Sequence, residues 1–303
     1  MDLTSRLLAE YDQIVIYGAK GWIGRSAVSL LFANEPVLQQ EQILFIGSKT
    51  ELSCETGLPL NVYSAIEGAQ RIRSRALFLN AAYLRREKLA GIEPEEYRRK
   101  NNEIISFGLE LIKSGRIKTF INLSSGVANQ GSVKNFELVT DPYARSKIIG
   151  EKLFAEACNS APTHLLNCRI YNISGKYVNE FNNLALTNFI AQAKQNIQTI
   201  SVKSPSTLRT YVDSVDLVLV LLELSLKQGS YQIDSGGDLI SLGDLALVVS
   251  NISKVSKVEI PTSFEKSPDY FGNYLEFNEL AKNLGIKLKN IHEQTMETMK
   301  AFL

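Results

Sequence analysis

Tyr143 and Lys147 stand four residues apart in the run Tyr143-Ala144-Arg145-Ser146-Lys147. On a helix, that spacing puts a phenol and an ammonium on one face. A neighbouring ammonium favours phenolate and lowers a tyrosine pKa from its usual value of about 10. Such a pair can pass a proton to or from a sugar or alcohol oxygen near neutral pH. Asp141-Pro142, just upstream, suits a turn into the helix with Asp141 as its cap. Leu123-Ser124-Ser125-Gly126 closes an apolar run, and a hydroxyl there can bond the same substrate oxygen as the tyrosine. Tyr and Lys at this spacing are common by chance, so the assignment depends on what surrounds them.

The second chemical segment is Gly18-Ala19-Lys20-Gly21-Trp22-Ile23-Gly24, which follows a strand-type run and opens a helix-type one. That context marks a phosphate cradle. Gly18 suits the tight turn, Gly21 a close backbone approach to a pyrophosphate, and Gly24 close packing of helix on sheet. Lys20, Trp22 and Ile23 fall inside the same cofactor-binding stretch. An NAD site carries Asp or Glu about 20 residues further on, bonding the ribose 2′-OH. Here the second strand ends Gly47-Ser48-Lys49-Thr50, with no acid until Glu51, while Glu41 precedes the strand. Ser48, Lys49 and Lys20 suit a 2′-phosphate that a carboxylate would repel. The cofactor expected is therefore NADP, with NAD as the alternative.

These groups need a frame. Ile14-Val15-Ile16-Tyr17, residues 43–46, 76–79, 119–123 and 165–170 are short apolar runs of strand type. Between them lie helix-period stretches, notably about 95–114 and 143–158. Strands apolar throughout and separated by helices imply a parallel sheet covered on both faces. The fold class expected is α/β, a doubly wound Rossmann parallel sheet with a smaller C-terminal α/β substrate lobe. The NADP-binding domain is expected over 1–171 plus about 211–235, and the lobe over 172–210 and 236–303. In the lobe, helices are expected near 188–195, 217–226 and 244–250, short strands at 231–233 and 258–260, and a helix–loop–helix ending from about 276.

The chain has 303 residues, enough for about two domains. Its 33 basic and 32 acidic residues leave a net charge of +1, which argues against nucleic acid as a partner. No apolar run reaches the roughly 18 residues needed to cross a bilayer, and residues 1–6 do not open a signal peptide. No membrane partner and a cytoplasmic location are expected. Cys54, Cys158 and Cys168 lack metal spacing and read as reduced thiols. His164 and His292 are the only histidines, so no histidine-rich metal site is expected.

In order and spacing, residues 18–24, Asn80-Ala81-Ala82, Asn101, Ser124-Ser125 and Tyr143…Lys147 resemble the extended short-chain dehydrogenase/reductase superfamily. Within it the chain resembles the NAD(P)-dependent nucleotide-sugar epimerase/dehydratase/reductase family. Arg169-Ile170-Tyr171-Asn172-Ile173-Ser174-Gly175 and Leu208-Arg209-Thr210-Tyr211-Val212-Asp213-Ser214-Val215-Asp216 are similar to two later motifs of that family. The resemblance implies Ser125, Tyr143 and Lys147 as catalytic residues, Ser125 holding the substrate oxygen and Lys147 also bonding the nicotinamide ribose. It implies Asn80, Ala81, Ala82 and Asn101 along the cofactor, with Asn102 leaving the last register open by one. It implies Asn172 and Arg209 at the substrate diphosphate, chemistry that an amide and a guanidinium fork suit. The Thr-Asp-Glu triplet of the family's dehydratases is replaced by Ser125-Gly126-Val127, which argues against water elimination. Two other departures are Ala128-Asn129-Gln130 after the serines and Asn61-Val62-Tyr63-Ser64, which lacks an aspartate. The expectation is NADPH-dependent reduction of a nucleotide-linked 4-keto-6-deoxy sugar by a homodimer. An NAD-dependent C4 epimerase and a ketone or aldehyde reductase for a non-sugar substrate are the alternatives. Arg85 and Arg86 are expected as solvated loop charges, and Cys158, Cys168 and His164 as packing or surface residues.

Overall fold

The computed structural model describes residues 1–33, 42–48, 52–53, 57, 59–132, 139–179, 184–195, 199–254 and 257–302. The chain forms two compact units: Met1–Arg169 with Leu221–Ile233, and Ile170–Val220 with Asp234–Leu303. The first stretch runs α1 (Leu3–Glu10), β1 (Gln13–Tyr17), α2 (Trp22–Leu31), β2 (Ile43–Ile46), β3 (Leu52–Ser53) and β4 (Pro59–Leu60). It continues through β5 (Val62–Tyr63), α3 (Ala65–Arg71), β6 (Ala76–Asn80), α4 (Pro94–Lys113), β7 (Ile117–Ser125), α5 (Pro142–Asn159) and β8 (His164–Ile170). Next come β9 (Ile173–Ser174), α6 (Ala185–Lys194), β10 (Thr199–Ser201), β11 (Leu208–Asp213), α7 (Ser214–Ser225) and β12 (Tyr231–Asp234). The chain closes with β13 (Asp238–Ser241), α8 (Leu242–Ser253), β14 (Lys257–Glu259), α9 (Tyr274–Asn283) and α10 (Ile291–Lys300).

In the first unit, seven strands make a parallel sheet in the order β12-β8-β7-β6-β1-β2-β5. This is the doubly wound α/β architecture expected from the alternating apolar runs. The apolar cores of β1, β2 and β6 are buried along their length because helices cover both faces. The strand order reverses between β1 and β6, and in open sheets of this kind ligands sit beyond the carboxyl ends of strands at such a reversal. Helix α4 presents Tyr97, Asn101, Ile105, Gly108 and Ile112 as one buried stripe. Beneath α4 and α5 the core is aromatic: Phe78 stacks on Phe120 at 5.2 Å, and Phe120 meets Phe154 at 4.8 Å.

The second unit holds a three-stranded sheet in which β11 pairs antiparallel with β13 and parallel with β9. A separate parallel pair joins β10 to β14. Leu186, Phe189 and Ile190 of α6 share a buried core with Leu245, Ala246 and Val249 of α8. The helix–loop–helix ending is present as α9 and α10, the latter opened by an Asn290/Glu293 capping box. Among the described residues, no helix is long and apolar enough to cross a membrane.

Candidate active site

After β1 the chain turns at Gly18 with φ +87°, a region that L side chains rarely adopt. A Cβ on Gly18 would stand 2.7 Å from the Ala81 carbonyl carbon and the Ala82 nitrogen. Gly21 is the N-cap of α2 and supplies no side-chain cap. A Cβ on Gly24 would stand 2.2 Å from the Gly18 carbonyl oxygen, so the helix is seated directly on the turn. With no acid in its first turn, α2 presents leading N–H groups and the positive end of its dipole to an anion. A dinucleotide diphosphate fits a cradle of this kind, where backbone from residues 18–24 and 81–82 comes together and side chains are excluded. Trp22 is buried, Lys20 and Ile23 are half-buried, and Ser48 is exposed at the end of β2. Lys49 and Cys54 lie outside the described residues.

The second group assembles where β7 and α5 meet. Asp141 caps α5, its Oδ1 accepting from the Tyr143 N–H at 3.0 Å. One turn into the helix, Lys147 is buried at 7% exposure and its Nζ donates to the Leu123 carbonyl at 2.8 Å. The ammonium is thereby tied to the strand whose last residues are Ser124 and Ser125, both buried. It lies 6.0 Å from the centroid of the Tyr143 ring. Burial pulls the Lys147 pKa from its ordinary 10.5 down to about 7, while the charge of Glu151 pulls it back up. Arg86 ion-pairs with Asp141 and places its guanidinium 5.6 Å above the Tyr143 ring. It is exposed, as a loop charge should be, yet engaged at the site.

Between the two groups runs the segment after β6. Ala81 N–H donates to the Tyr17 carbonyl at 2.9 Å, which fixes the segment to the glycine turn. Helix α4 clamps it from the other side. Asn101 Oδ1 accepts from the Leu84 N–H at 2.9 Å, and the Tyr97 hydroxyl donates to the Leu84 carbonyl at 2.7 Å. Asn101 is fully buried and Asn102 exposed, so Asn101 is the inward member of the pair. Its amide braces the backbone beside the cofactor cradle. Tyr83, which the motifs did not single out, follows Ala82 directly and lies against Tyr143 and Lys147.

Asn80 opens a row of side-chain amides across the sheet. Asn80 Nδ2 donates to Asn122 Oδ1 at 3.3 Å, Asn122 Nδ2 to Asn167 Oδ1 at 2.6 Å, and Asn167 Nδ2 to Gln232 Oε1 at 2.7 Å. Four neighbouring strands are thus linked by bonds all pointing one way, and Asn80 Oδ1 at the near end is buried with no hydrogen-bond partner among the described residues. Asn122→Leu strands a donor on Asn80 and an acceptor on Asn167. The expected cost is roughly 1–3 kcal/mol for each stranded group, read as a lower denaturant midpoint. An unchanged midpoint would show that the row does not stabilise the sheet.

In the second unit, Asn172 Nδ2 donates to the carbonyls of Thr210 at 2.9 Å and Tyr270 at 3.5 Å. Arg209 Nη1 donates to the carbonyls of Leu208 at 3.0 Å and Pro268 at 2.7 Å, with the Tyr270 ring 5.8 Å from the guanidinium. Both residues therefore hold the segment around 268–270 onto β11, a partner that motif reading did not reveal because it lies 59 positions from Arg209 and 98 from Asn172 in the chain. Burial lowers the Arg209 pKa, opposed by Tyr211, Asp269 and Tyr270. A separate cavity of about 570 Å³ is lined by Leu184, Ala185, Asn188, Gln192, Lys203 and Ser204, among others.

Other candidates carry less chemistry. Cys158 and Cys168 are buried and form no disulfide, and burial pushes the Cys158 thiol up to about 12, far from a reactive thiolate. Among the described residues, no three His, Cys, Asp or Glu side chains come together as a metal site. Arg169 pairs with Glu151 at 2.7 Å, joining β8 to α5 below Lys147.

A family model described as NAD dependent epimerase/dehydratase family matches residues 14–233, well over half of the chain. The chain is similar in structure to a UDP-N-acetylglucosamine 4-epimerase from Methanobrevibacter ruminantium M1 in complex with UDP-N-acetylmuramic acid. The TM-score is 0.70 at 17% identity, over 96% of this chain and 97% of that one. It is also similar to the UDP-glucose 4-epimerase from Bifidobacterium longum in complex with NAD+ and UDP, with a TM-score of 0.69 at 15% identity, over 95% and 97%. A third similar structure is TunA, an NAD-dependent NDP-hexosamine 5,6-dehydratase involved in tunicamycin biosynthesis, with a TM-score of 0.69 at 16% identity, over 96% and 97%. At these identities the likeness establishes a shared fold. No curated protein matches the sequence.

Proposed function

This chain belongs to the NAD dependent epimerase/dehydratase family, and from that premise we propose that it reduces a nucleotide-linked 4-keto-6-deoxy sugar with NADPH, using Tyr143 as the acid. The observation that carries the reading is the continuous contact from the Gly18 turn through Ala81, Ala82 and Tyr83 to Tyr143 and Lys147. Residues 18–24 and 80–82 hold the cofactor, whose nicotinamide supplies the hydride when bound. Tyr143 Oη gives its proton to the oxygen of the carbon being reduced, and Ser125 Oγ holds that oxygen. The Lys147 ammonium stabilises the phenolate left on Tyr143 and bonds the ribose.

Arg209 engages one guanidinium nitrogen with backbone carbonyls and keeps others for the substrate diphosphate. Asn172 holds β11 in place beside it. The cavity of about 570 Å³ beside α6, lined by Leu184, Ala185 and Phe189 among others, is where the nucleoside would sit. No carboxylate follows Ser125 to move the protons of a water elimination, which sets the dehydratase reading aside. The protein works in the cytoplasm as a homodimer.

Preference for NADP is supported by the end of β2, where Ser48 and Lys49 stand in place of an acid, and by Lys20 in the glycine turn. Lys49→Glu is expected to shift the ratio of NADPH to NADH efficiency by about tenfold or more toward NADH, the loss of one charge-assisted contact. Steady-state kinetics with both cofactors reads this directly, and an unmoved ratio would count against NADP. The second reading, an NAD-dependent C4 epimerase, is favoured by the cofactor in the family's description. Native mass spectrometry of the purified protein separates the two. An empty site that takes up NADPH supports one-way reduction, and tightly retained NAD supports the epimerase.

A further inference from the structure

The residue that the Tyr143–Lys147 motif does not contain, and that nonetheless touches both its members, is Tyr83. Its ring centroid is 3.5 Å from Lys147 Nζ, close enough for the ammonium to sit on the ring face. The same ring meets the Tyr143 ring edge-on, with centroids 5.9 Å apart and planes at 76°. Its hydroxyl donates to Ser146 Oγ, on the residue before Lys147 in α5. Its backbone continues Ala81 and Ala82, which lie against the glycine turn. One half-buried aromatic residue therefore connects the cradle to the proton-transfer pair.

We propose that Tyr83 is a positioning residue of the site, its ring face fixing the Lys147 ammonium and its edge-on contact fixing Tyr143, so that the ammonium stays charged where it supports the phenol. The proposal rests on the reading of Tyr143 and Lys147 as the proton-transfer pair. Lys147 otherwise has one described hydrogen-bond acceptor, the Leu123 carbonyl. Among the described residues, the charged and titratable groups around it are few. Glu151 lies on its own helix and is already paired with Arg169. Tyr143 and Asp141 lie at the start of α5, with Arg86 above them. Tyr97 of α4 faces Tyr83, whose own phenol burial holds well above its ordinary range, so Tyr83 stays neutral. In such surroundings the electron-rich face of a neutral ring opposes the burial that drives Lys147 towards its uncharged form.

The sign of the effect separates this role from mere space-filling. Tyr83→Leu keeps Lys147 covered but removes the π face, so Lys147 should lose its proton at lower pH, by about one pH unit (about 1.4 kcal/mol). Tyr83→Phe keeps the face and should leave the titration where it is. Tyr83→Ala admits water and should move it upward. Tyr83→Met serves in place of the leucine variant if that variant does not fold. The titration is read by NMR of ¹³Cε-labelled lysine in the full chain, Lys147 being assigned by its absence in Lys147→Arg. In the sugar reaction, kcat at pH 7 should fall about fivefold in Tyr83→Leu as the charged fraction falls, with KM for the sugar nucleotide unchanged. A Lys147 titration that is the same in Tyr83→Leu and wild type overturns the proposal. Because that titration is measured without substrate, it stands or falls apart from the proposed reaction. A shifted titration in a protein that reduces no keto sugar would leave Tyr83 in its role and remove only the reaction.

Discussion

Tyr143→Phe is expected to lower turnover by about 10²–10⁴-fold, the span associated with losing a positioned acid or base. Cofactor affinity should change by less than about twofold, because the phenol oxygen is removed while the ring keeps its contacts with Tyr83 and Arg86. Fluorescence titration with the reduced cofactor and single-turnover reduction of a keto sugar nucleotide measure the two quantities separately. The pH profile adds a second check. Lys147 is charged below about 7 and loses its proton as pH rises through that value. The part of the rate that depends on the ammonium should therefore decline on the alkaline side of neutrality. A Tyr143→Phe protein that keeps its turnover would remove the tyrosine from the chemistry.

Gly24→Ala should act on binding first. The added Cβ would stand 2.2 Å from the Gly18 carbonyl oxygen and 2.7 Å from the Ala19 Cα, and both obstacles are backbone. The helix must then lift from the turn, carrying its leading N–H groups out of reach of the anion. Hydrogen bonds to charged groups contribute roughly 1.5–3 kcal/mol each, so losing two of them weakens cofactor binding by about 10²–10⁴-fold. Overpacking at the same place costs about 1–3 kcal/mol of stability. Calorimetric titration of the folded variant tests the first figure and denaturant unfolding the second. Unchanged affinity would mean that the cofactor does not rest on the start of α2.

Parts of this molecule were legible from the chain alone. The apolar runs at 14–17, 43–46, 76–79 and 119–123 become β1, β2, β6 and β7 because a strand covered on both faces has no polar side to interrupt the pattern. The helix stretches near 95–114 and 143–158 become Pro94–Lys113 and Pro142–Asn159, each with a proline in its first turn. The spacing of Tyr143 and Lys147 also needed nothing beyond helix geometry. Local rules sufficed there because periodicity and capping depend on neighbours within a few residues.

Only the tertiary structure decided the rest. Which asparagine of the pair at 101 and 102 faces inward depends on how α4 lies against Leu84. The amide row from Asn80 to Gln232 exists because strands far apart in sequence become neighbours in the sheet. Asn172 and Arg209 find carbonyls at 268–270, and Arg86 finds Asp141 and the Tyr143 ring, across separations that no pattern in the chain encodes. Tyr83 is the sharpest instance: its type and position suggest nothing until β6 and α5 bring its ring onto the Lys147 ammonium. Residue type and short-range spacing set which elements form and which groups could react. Long-range packing set which of those groups meet, because contact energies between distant segments depend on coordinates that local sequence does not specify.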